Sequence, residues 1–333
     1  QHVPALWAPE KVLLSTESLH KPIPPHSDDR IDSRNHIRAP HHSLFPFIRS
    51  EQLRYWNDDH IVSRHGFWKP SGGYRTLVDI GRRLDQATLL EMPYGRGCIR
   101  LCQMDLIRKF DTEPMARLLL YRLLRRSDDI PARAGVVIGA TDRLTRFLRH
   151  QGLKTVREIR HVRSDTVDDL DVLLIDLHSQ PTVSSRSLQS FLHKGGTAFV
   201  TGIDPETAPL LQQVAEVTVS ATEGDHVIKR SEDPLLDGIS NSDLRWVHKQ
   251  STTEPRISVP LYRSILNTPE EGSLTSGPIM ASIPVGDGRL LLDCSLWLEK
   301  WESFAKAERV GVTLMLNLGL CVDSPYWDRL HFP

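Results

Sequence analysis

Few residues in this chain combine the types and spacing that chemistry needs. The clearest group is Thr201-Gly202-Ile203-Asp204-Pro205-Glu206, where an apolar run meets a proline. Asp204 and Glu206 are two carboxylates at one strand–helix junction, and in a crevice they could divide acid and base roles as a hydrolase does. The same residues also spell an ordinary helix start. Asp at the N-cap, Pro at the first helical position and Glu in the first turn satisfy orphan amides and the helix dipole. On that reading Asp204 accepts from the amide of Glu206 or Thr207, and the junction is structural.

The remaining groups point away from chemistry. Gly95-Arg96-Gly97 and Gly286-Asp287-Gly288 sit between strand-like runs, so their glycines supply the positive φ of hairpin turns. Neither has the third glycine or the immediate helix that dinucleotide binding requires, and Gly139 alone makes no phosphate cradle. Six histidines fall within residues 1–42 (His2, His20, His26, His36, His41, His42), without the regular spacing or added cysteines of a metal site. No metal and no cofactor are expected. Cys98, Cys102, Cys294 and Cys321 form no CxxC pair. Cys98 and Cys102 would lie about 13 Å apart along a strand, too far for a disulfide, so four buried free thiols are expected. Aromatic residues cluster at Tyr55, Trp56, Phe67, Trp68 and Tyr74, and again at Trp297 and Trp301. Ring faces stack on sugars, which makes Tyr55, Trp56, Trp68, Trp297 and Trp301 candidate carbohydrate contacts. Core packing or a partner surface uses the same residues equally well.

The elements that position these groups follow from pattern. With 333 residues, 39% hydrophobic and 25% charged, the chain is long enough for two ordinary domains. Net charge is −1 and the isoelectric point about 7.0, which gives no overall attraction to nucleic acid or an acidic membrane. No apolar run reaches the ~18 residues of a membrane helix. Residues 1–42 hold six prolines and read as extended chain with at most a short strand over Lys11–Leu14. From residue 134 strand alternates with helix: strands over 134–139, 171–176 and 197–201, helices over 141–151 and 184–193, with Gly195-Gly196 as a C-cap. That alternation predicts a parallel, doubly wound sheet. Further strands are expected over 217–220, 226–230, 279–284 and 289–294, the last two forming a hairpin. Pro131, after Arg125-Arg126-Ser127-Asp128-Asp129, marks a linker.

Two motifs recur at one spacing. Ile48-Arg49-Ser50-Glu51-Gln52-Leu53-Arg54-Tyr55 aligns with Ile239-Ser240-Asn241-Ser242-Asp243-Leu244-Arg245-Trp246, 191 positions later. Met92-Pro93-Tyr94-Gly95-Arg96-Gly97 aligns with Ile283-Pro284-Val285-Gly286-Asp287-Gly288 at the same 191. Two distant motifs in one register mark an internal repeat. A helix over Glu113–Arg125 aligns with Ala305–Leu318 if a small insertion is placed around Trp297–Trp301. The first copy then lacks the upstream strands and helices that the second has, so its sheet should expose an edge and an apolar face and tend to associate, unless residues 1–40 fold over part of it.

The junction at Gly202-Ile203-Asp204 resembles the elbow of class I glutamine amidotransferase-like domains, which reads G-x-C-x-G around a nucleophilic cysteine. Here Asp204 occupies the cysteine's place and Glu206 that of the second glycine. The His-Pro-Glu element that completes the family's triad has no counterpart in Ala281–Cys294. An aspartate offers no thiol for a base to activate, so the resemblance implies the fold without the activity. A narrower likeness rests on His42-Ser43-Leu44-Phe45, Leu53-Arg54-Tyr55-Trp56, Leu89-Leu90-Glu91-Met92-Pro93-Tyr94-Gly95-Arg96-Gly97 and Leu101-Cys102-Gln103-Met104-Asp105-Leu106. These are similar to amidotransferase-like modules near the C-terminus of large bacterial glycoside hydrolases of the β-galactosidase kind, where related modules help subunits trimerise. The turn lysine of that pattern is Arg96 in one copy and Asp287 in the other.

The resulting expectation is an α/β protein with a doubly wound parallel sheet, flavodoxin-like and amidotransferase-like, present as one truncated and one complete copy. Its divisions are an extended segment (1–35), the C-terminal half of a first domain (36–127), a complete second domain (134–320) and a tail (321–333). The expected role is a non-catalytic scaffold or assembly region of a larger carbohydrate-active protein. Alternatives are a hydrolase using acidic residues at the elbow and a carbohydrate-binding module. Expected partners are upstream domains of the same protein, further copies and carbohydrate, with no nucleic acid or membrane. Gln1 is not a methionine and no leader follows it, so a piece of something longer is expected. The resemblance allows a periplasmic or secreted location.

Overall fold

A computed structural model describes residues 20–21, 34–69, 74–81, 84, 86–95, 97–125, 131–154, 157–229, 233–248, 257–268 and 272–322. The expected strand at Lys11–Leu14 and the turn residue Arg96 lie outside them. The chain divides into two compact units, residues 1–129 with 322–333 and residues 130–321.

The first unit is built on an antiparallel sheet of β1 (His20–Lys21), β2 (Asn35–Ile37), β3 (Gly66–Trp68), β4 (Arg75–Ile80), β5 (Gln86–Tyr94) and β6 (Gly97–Cys102), with helix α1 (Pro114–Leu124). The spatial order is β1-β3-β5-β4-β2, and β6 pairs with β5. Most of β4 and β5 is buried. The core gathers Leu44, Phe45, Leu53, Trp56, Leu77, Leu89, Ala116 and Leu119. Glu91 is buried within β5 and receives Arg75 at 2.6 Å, Arg100 at 2.7 Å and His42 at 2.9 Å. Burial opposes its charge, yet His42 and Arg75 hold its carboxyl well below the usual range. Val322, expected in a tail, bonds instead to β5 through Pro93 O and Gly95 N, each at 2.9 Å.

The second unit is mixed α/β. Its main sheet contains β7 (Ala134–Val137), β8 (Arg157–Ile159), β9 (Val172–Asp176), β10 (Thr197–Thr201), β13 (Met280–Val285) and β14 (Gly288–Asp293). The order is β13-β14-β10-β9-β7-β8. Every pair is parallel except β13 with β14. Helices α2 (Arg143–His150), α3 (Ser185–His193), α4 (Ala208–Ala215), α5 (Trp297–Lys300) and α6 (Ala305–Asn317) complete it, with a separate ladder of β11 (Thr218–Gly224) and β12 (Tyr262–Asn267). β9 is buried along its whole length, as a central parallel strand must be. Ser184 caps α3, and Leu188, Phe191 and Leu192 form its buried face. Residues 226–229 make isolated bridges where a strand was expected, and β8 was not anticipated.

Bonds recur between the units at the spacing of 191. Ile48 N donates to Phe45 O (2.9 Å) as Ile239 N does to Leu236 O (3.1 Å). Arg49 N donates to the Gln52 side chain (2.8 Å) and Ser240 N to that of Asp243 (2.9 Å). The hairpins pair Tyr94 with Gly97 and Val285 with Gly288, and Met92 with Ile99 and Ile283 with Leu290. Gly95 and Gly286 both adopt positive φ, +57° and +61°. Lys109 N→Asp105 O matches Lys300 N→Leu296 O, and α1 and α6 begin at Pro114 and Ala305. The insertion expected around Trp297–Trp301 is therefore not needed: α5 occupies the same register as the turns of 106–112.

Candidate functional site

Three of the five parallel strands of the second unit deliver an acidic group to the carboxyl edge. β9 ends on Asp176, β10 runs through Gly202 to Asp204, and β14 ends on Asp293. The turn Leu177–Ser179 adds His178, α2 adds Arg143 and α5 adds Glu299. Gly202 has φ +66°, and a Cβ there would stand 2.3 Å from Asp176 Oδ1 and 2.9 Å from His178 N. Only glycine lets β10 pass this close to the end of β9.

The side chains close into one network. Asp176, almost wholly buried, takes the Arg143 guanidinium through Nη2 at 3.0 Å and Nε at 3.3 Å. Arg143 also faces Glu299 at 3.7 Å, and Arg263 reaches the same carboxylate at 3.8 Å. His178 stands between two acids, with Nε2 2.8 Å from Asp204 Oδ2 and Nδ1 3.5 Å from Glu299 Oε1. The other oxygen of Asp204 accepts from Thr207 N at 2.8 Å, while Thr207 Oγ1 accepts from Asp204 N at 2.9 Å. Beneath them Asp293, 1% exposed, accepts from Trp297 Nε1 at 2.5 Å and Ser295 N at 2.9 Å.

Charges shift accordingly. Hydrogen bonding to Glu299, then to Asp204, raises the His178 pKa against partial burial. The His178 bond lowers Glu299. Burial opposes ionisation of Asp204, but the Thr207 amide and His178 outweigh it and the pKa falls. Burial pushes Asp293 up to about 6 against its hydrogen bonds. Burial, then the charge of Asp293, drives the Cys294 thiol well above its usual range, so this cysteine at the edge is a neutral thiol and a poor nucleophile.

Asp204 does bond the Thr207 amide, although regular helix starts only at Ala208. Its bond to His178 was not foreseen. Glu206 is exposed. Of the candidate sugar contacts, Trp297 enters this network through its bond to Asp293. Tyr55 is 66% exposed, whereas Trp56 and Trp297 are fully buried and Trp301 nearly so. Phe147 packs edge-on to Trp297 and Trp301 at 4.8 and 5.5 Å, and His150 stands 4.8 Å from the Trp301 ring. These rings belong to the core, which leaves their faces no room for a sugar. The side chain of Trp68 is outside the described residues. All four cysteines are free, but only Cys294 and Cys321 are buried; Cys98 and Cys102 are half-exposed. Sequence reading missed Arg143, Asp176, His178, Asp293 and Glu299. The available signal was position, since each falls within two residues of the end of a parallel strand or in the helix that follows one.

No protein-family model matches the chain, and no curated protein matches it. Among solved structures, a β-galactosidase from Rahnella sp. R3 is similar at 12% identity and TM-score 0.31, over 60% of this chain and 33% of that one. The exo-β-1,4-mannosidase Op5Man5 from Opitutaceae bacterium strain TAV5 gives 14% and 0.35, over 63% and 38%. A Thermoplasma acidophilum protein described as one of the subunits of a GMP synthase gives 11% and 0.35, over 56% and 94%. The chain spans about a third of the length of the two glycosidases. These similarities are weak and at the level of fold.

Proposed function

We propose that the second unit is a doubly wound, amidotransferase-like domain whose catalytic edge has become a structural lock. The first unit is a truncated copy, and the chain serves as a non-catalytic assembly region of a larger carbohydrate-active protein. The observation that carries this is the commitment of the edge to itself. At the elbow position of a nucleophile, Asp204 spends one oxygen on the Thr207 amide and the other on His178. His178 has its second nitrogen turned to Glu299. Read in chain order, the parallel strands run 2-1-3-4-5 across the sheet, the order of flavodoxin-like folds. The bonds shared at a spacing of 191 favour related copies. The carbohydrate setting rests on the residue likeness over 36–125.

A rival hydrolase draws on one observation: His178, flanked by two carboxylates, keeps 31% of its side chain accessible. The purified chain separates the two readings when assayed with glutamine, p-nitrophenyl acetate and p-nitrophenyl β-galactoside. No turnover is expected, and Asp204→Ala should cost about 1–3 kcal/mol of stability through the lost bonds to the Thr207 amide and His178. Turnover that Asp204→Ala abolishes while the fold survives would replace the scaffold with an enzyme.

A further inference from the structure

Helices α1 and α6 share an inner face and differ on an outer one. Ala116 and Leu119 are buried in the first unit as Ala307 and Val310 are in the second. The outer positions part company. Ile107, Tyr121 and Leu124 are 79%, 63% and 75% exposed, whereas Leu298, Val312 and Met315, each 191 positions later, are 4%, 1% and 0% exposed. In the second unit α2 lies over part of this side. Phe147 packs on Trp297 and Trp301 and would stand 2.9 Å from a Cβ at Gly311. Two ion pairs, a 3.9 Å approach of His150 to Glu308 and a hydrogen bond hold α2 there: Arg143–Glu299, Arg146–Glu302, His150–Glu308 and Gln151–Glu308.

The first unit keeps the apolar positions but changes the charges. Where the second unit has Glu299 and Glu308, the first has Arg108 and Arg117; where it has Glu302, the first has Asp111. Arg108 is 69% exposed, with only a 4.0 Å approach to Asp105. Arg117 lies over the Phe110 ring at 5.3 Å, and Phe110 meets Tyr121 at 6.1 Å. A helix with the side chains of α2 would set Arg143 against the like charge of Arg108 and His150 against Arg117, where neither finds a carboxylate. We infer that the α1 face of the first unit docks an amphipathic helix that carries an aromatic residue at its centre. That helix bears carboxylates where α2 has Arg143 and His150, and a cation where α2 has Arg146. The inference rests on the reading of the two units as related copies. Apolar contact supplies the adhesion and the charges supply the choice of partner. A second copy of this chain is disfavoured, because α2, the helix of this kind among the described residues, bears Arg143 and His150.

The full chain tests this with two hydrocarbon-stapled peptides, one copying residues 140–153 and one carrying R143E and H150E in that sequence. Fluorescence anisotropy should show the acidic peptide binding more tightly, by roughly threefold or more for exposed charges brought into contact. On the R108E chain, a change at an exposed position, the acidic peptide should lose most of its advantage, since only Arg117 still favours it. Tyr121→Ser with Leu124→Ser should weaken both peptides about tenfold. Failure of the acidic peptide to bind, or binding indifferent to R108E and to the serine pair, would overturn the inference. A dimer in sedimentation velocity that the serine pair dissolves would assign the face to a second copy and overturn it too. None of these outcomes touches the hydrolysis assays that decide the scaffold reading.

Discussion

Asp293 and His178 both make the fold less stable as pH rises, for different reasons, while Glu299 and Asp204 act in the opposite sense. Burial lifts Asp293 to about 6, above its unfolded value of ~3.9, so the folded state favours the neutral acid. Its cost is absent below the unfolded value and grows as pH rises to about 6. Asp293→Asn should therefore melt higher than the natural protein at pH 8, and the gap should close toward pH 4. Equal melting temperatures at both pH values would show that its hydrogen bonds offset burial in full. For His178 the folded pKa is raised, so its stabilisation is full below ~6.5 and is lost as pH rises through the folded value. Glu299 and Asp204 are depressed, so theirs holds above ~4.5 and is lost as pH falls through the folded values. The trio is strongest between about 4.5 and 6.5.

At the scale of elements, the junction after β10 is where local sequence and packing meet. The positive φ of Gly202 and the 2.3 Å approach of its absent Cβ to Asp176 both exclude a side chain. Gly202→Ala should cost more than about 1 kcal/mol by backbone strain alone, and amide exchange should quicken over Thr201–Thr207; unchanged protection there would refute the close approach. The strands over 134, 172 and 197 and the helices α2 and α3 were legible because continuous apolar runs and capped amphipathic stretches are local signals. β8 was not, because Arg157-Glu158-Ile159 carries two charges in three residues and is a strand only through its partner β7. The hairpin glycines and the Asp204 bond to the Thr207 amide were also legible, although the helix expected from Pro205 begins at Ala208. The His178–Glu299 contact was not, since it joins residues 121 apart in sequence that only the topology brings together. For Trp56, Trp297 and Trp301 the sequence left core and sugar contact open for a related reason: an aromatic residue's type does not say whether its ring face is free.

Across the whole molecule the two units divide their exposure unevenly. Among the described residues, the exposed large hydrophobics Phe47, Tyr55, Ile107, Leu118, Tyr121 and Leu124 lie in the first unit and Ile228 alone in the second. An open apolar helix face on the first unit is the feature that the proposed assembly role would use. That role requires the carboxyl edge of the second unit to support its fold. The direct measure is the coupling free energy between His178→Ala and Glu299→Gln in a double-mutant cycle of unfolding, run at pH 6 and pH 9. A structural lock predicts coupling of about 0.5–3 kcal/mol at pH 6 that falls away at pH 9 as His178 loses its charge. No coupling at pH 6 in variants that still fold would mean that these residues are held for something other than the fold.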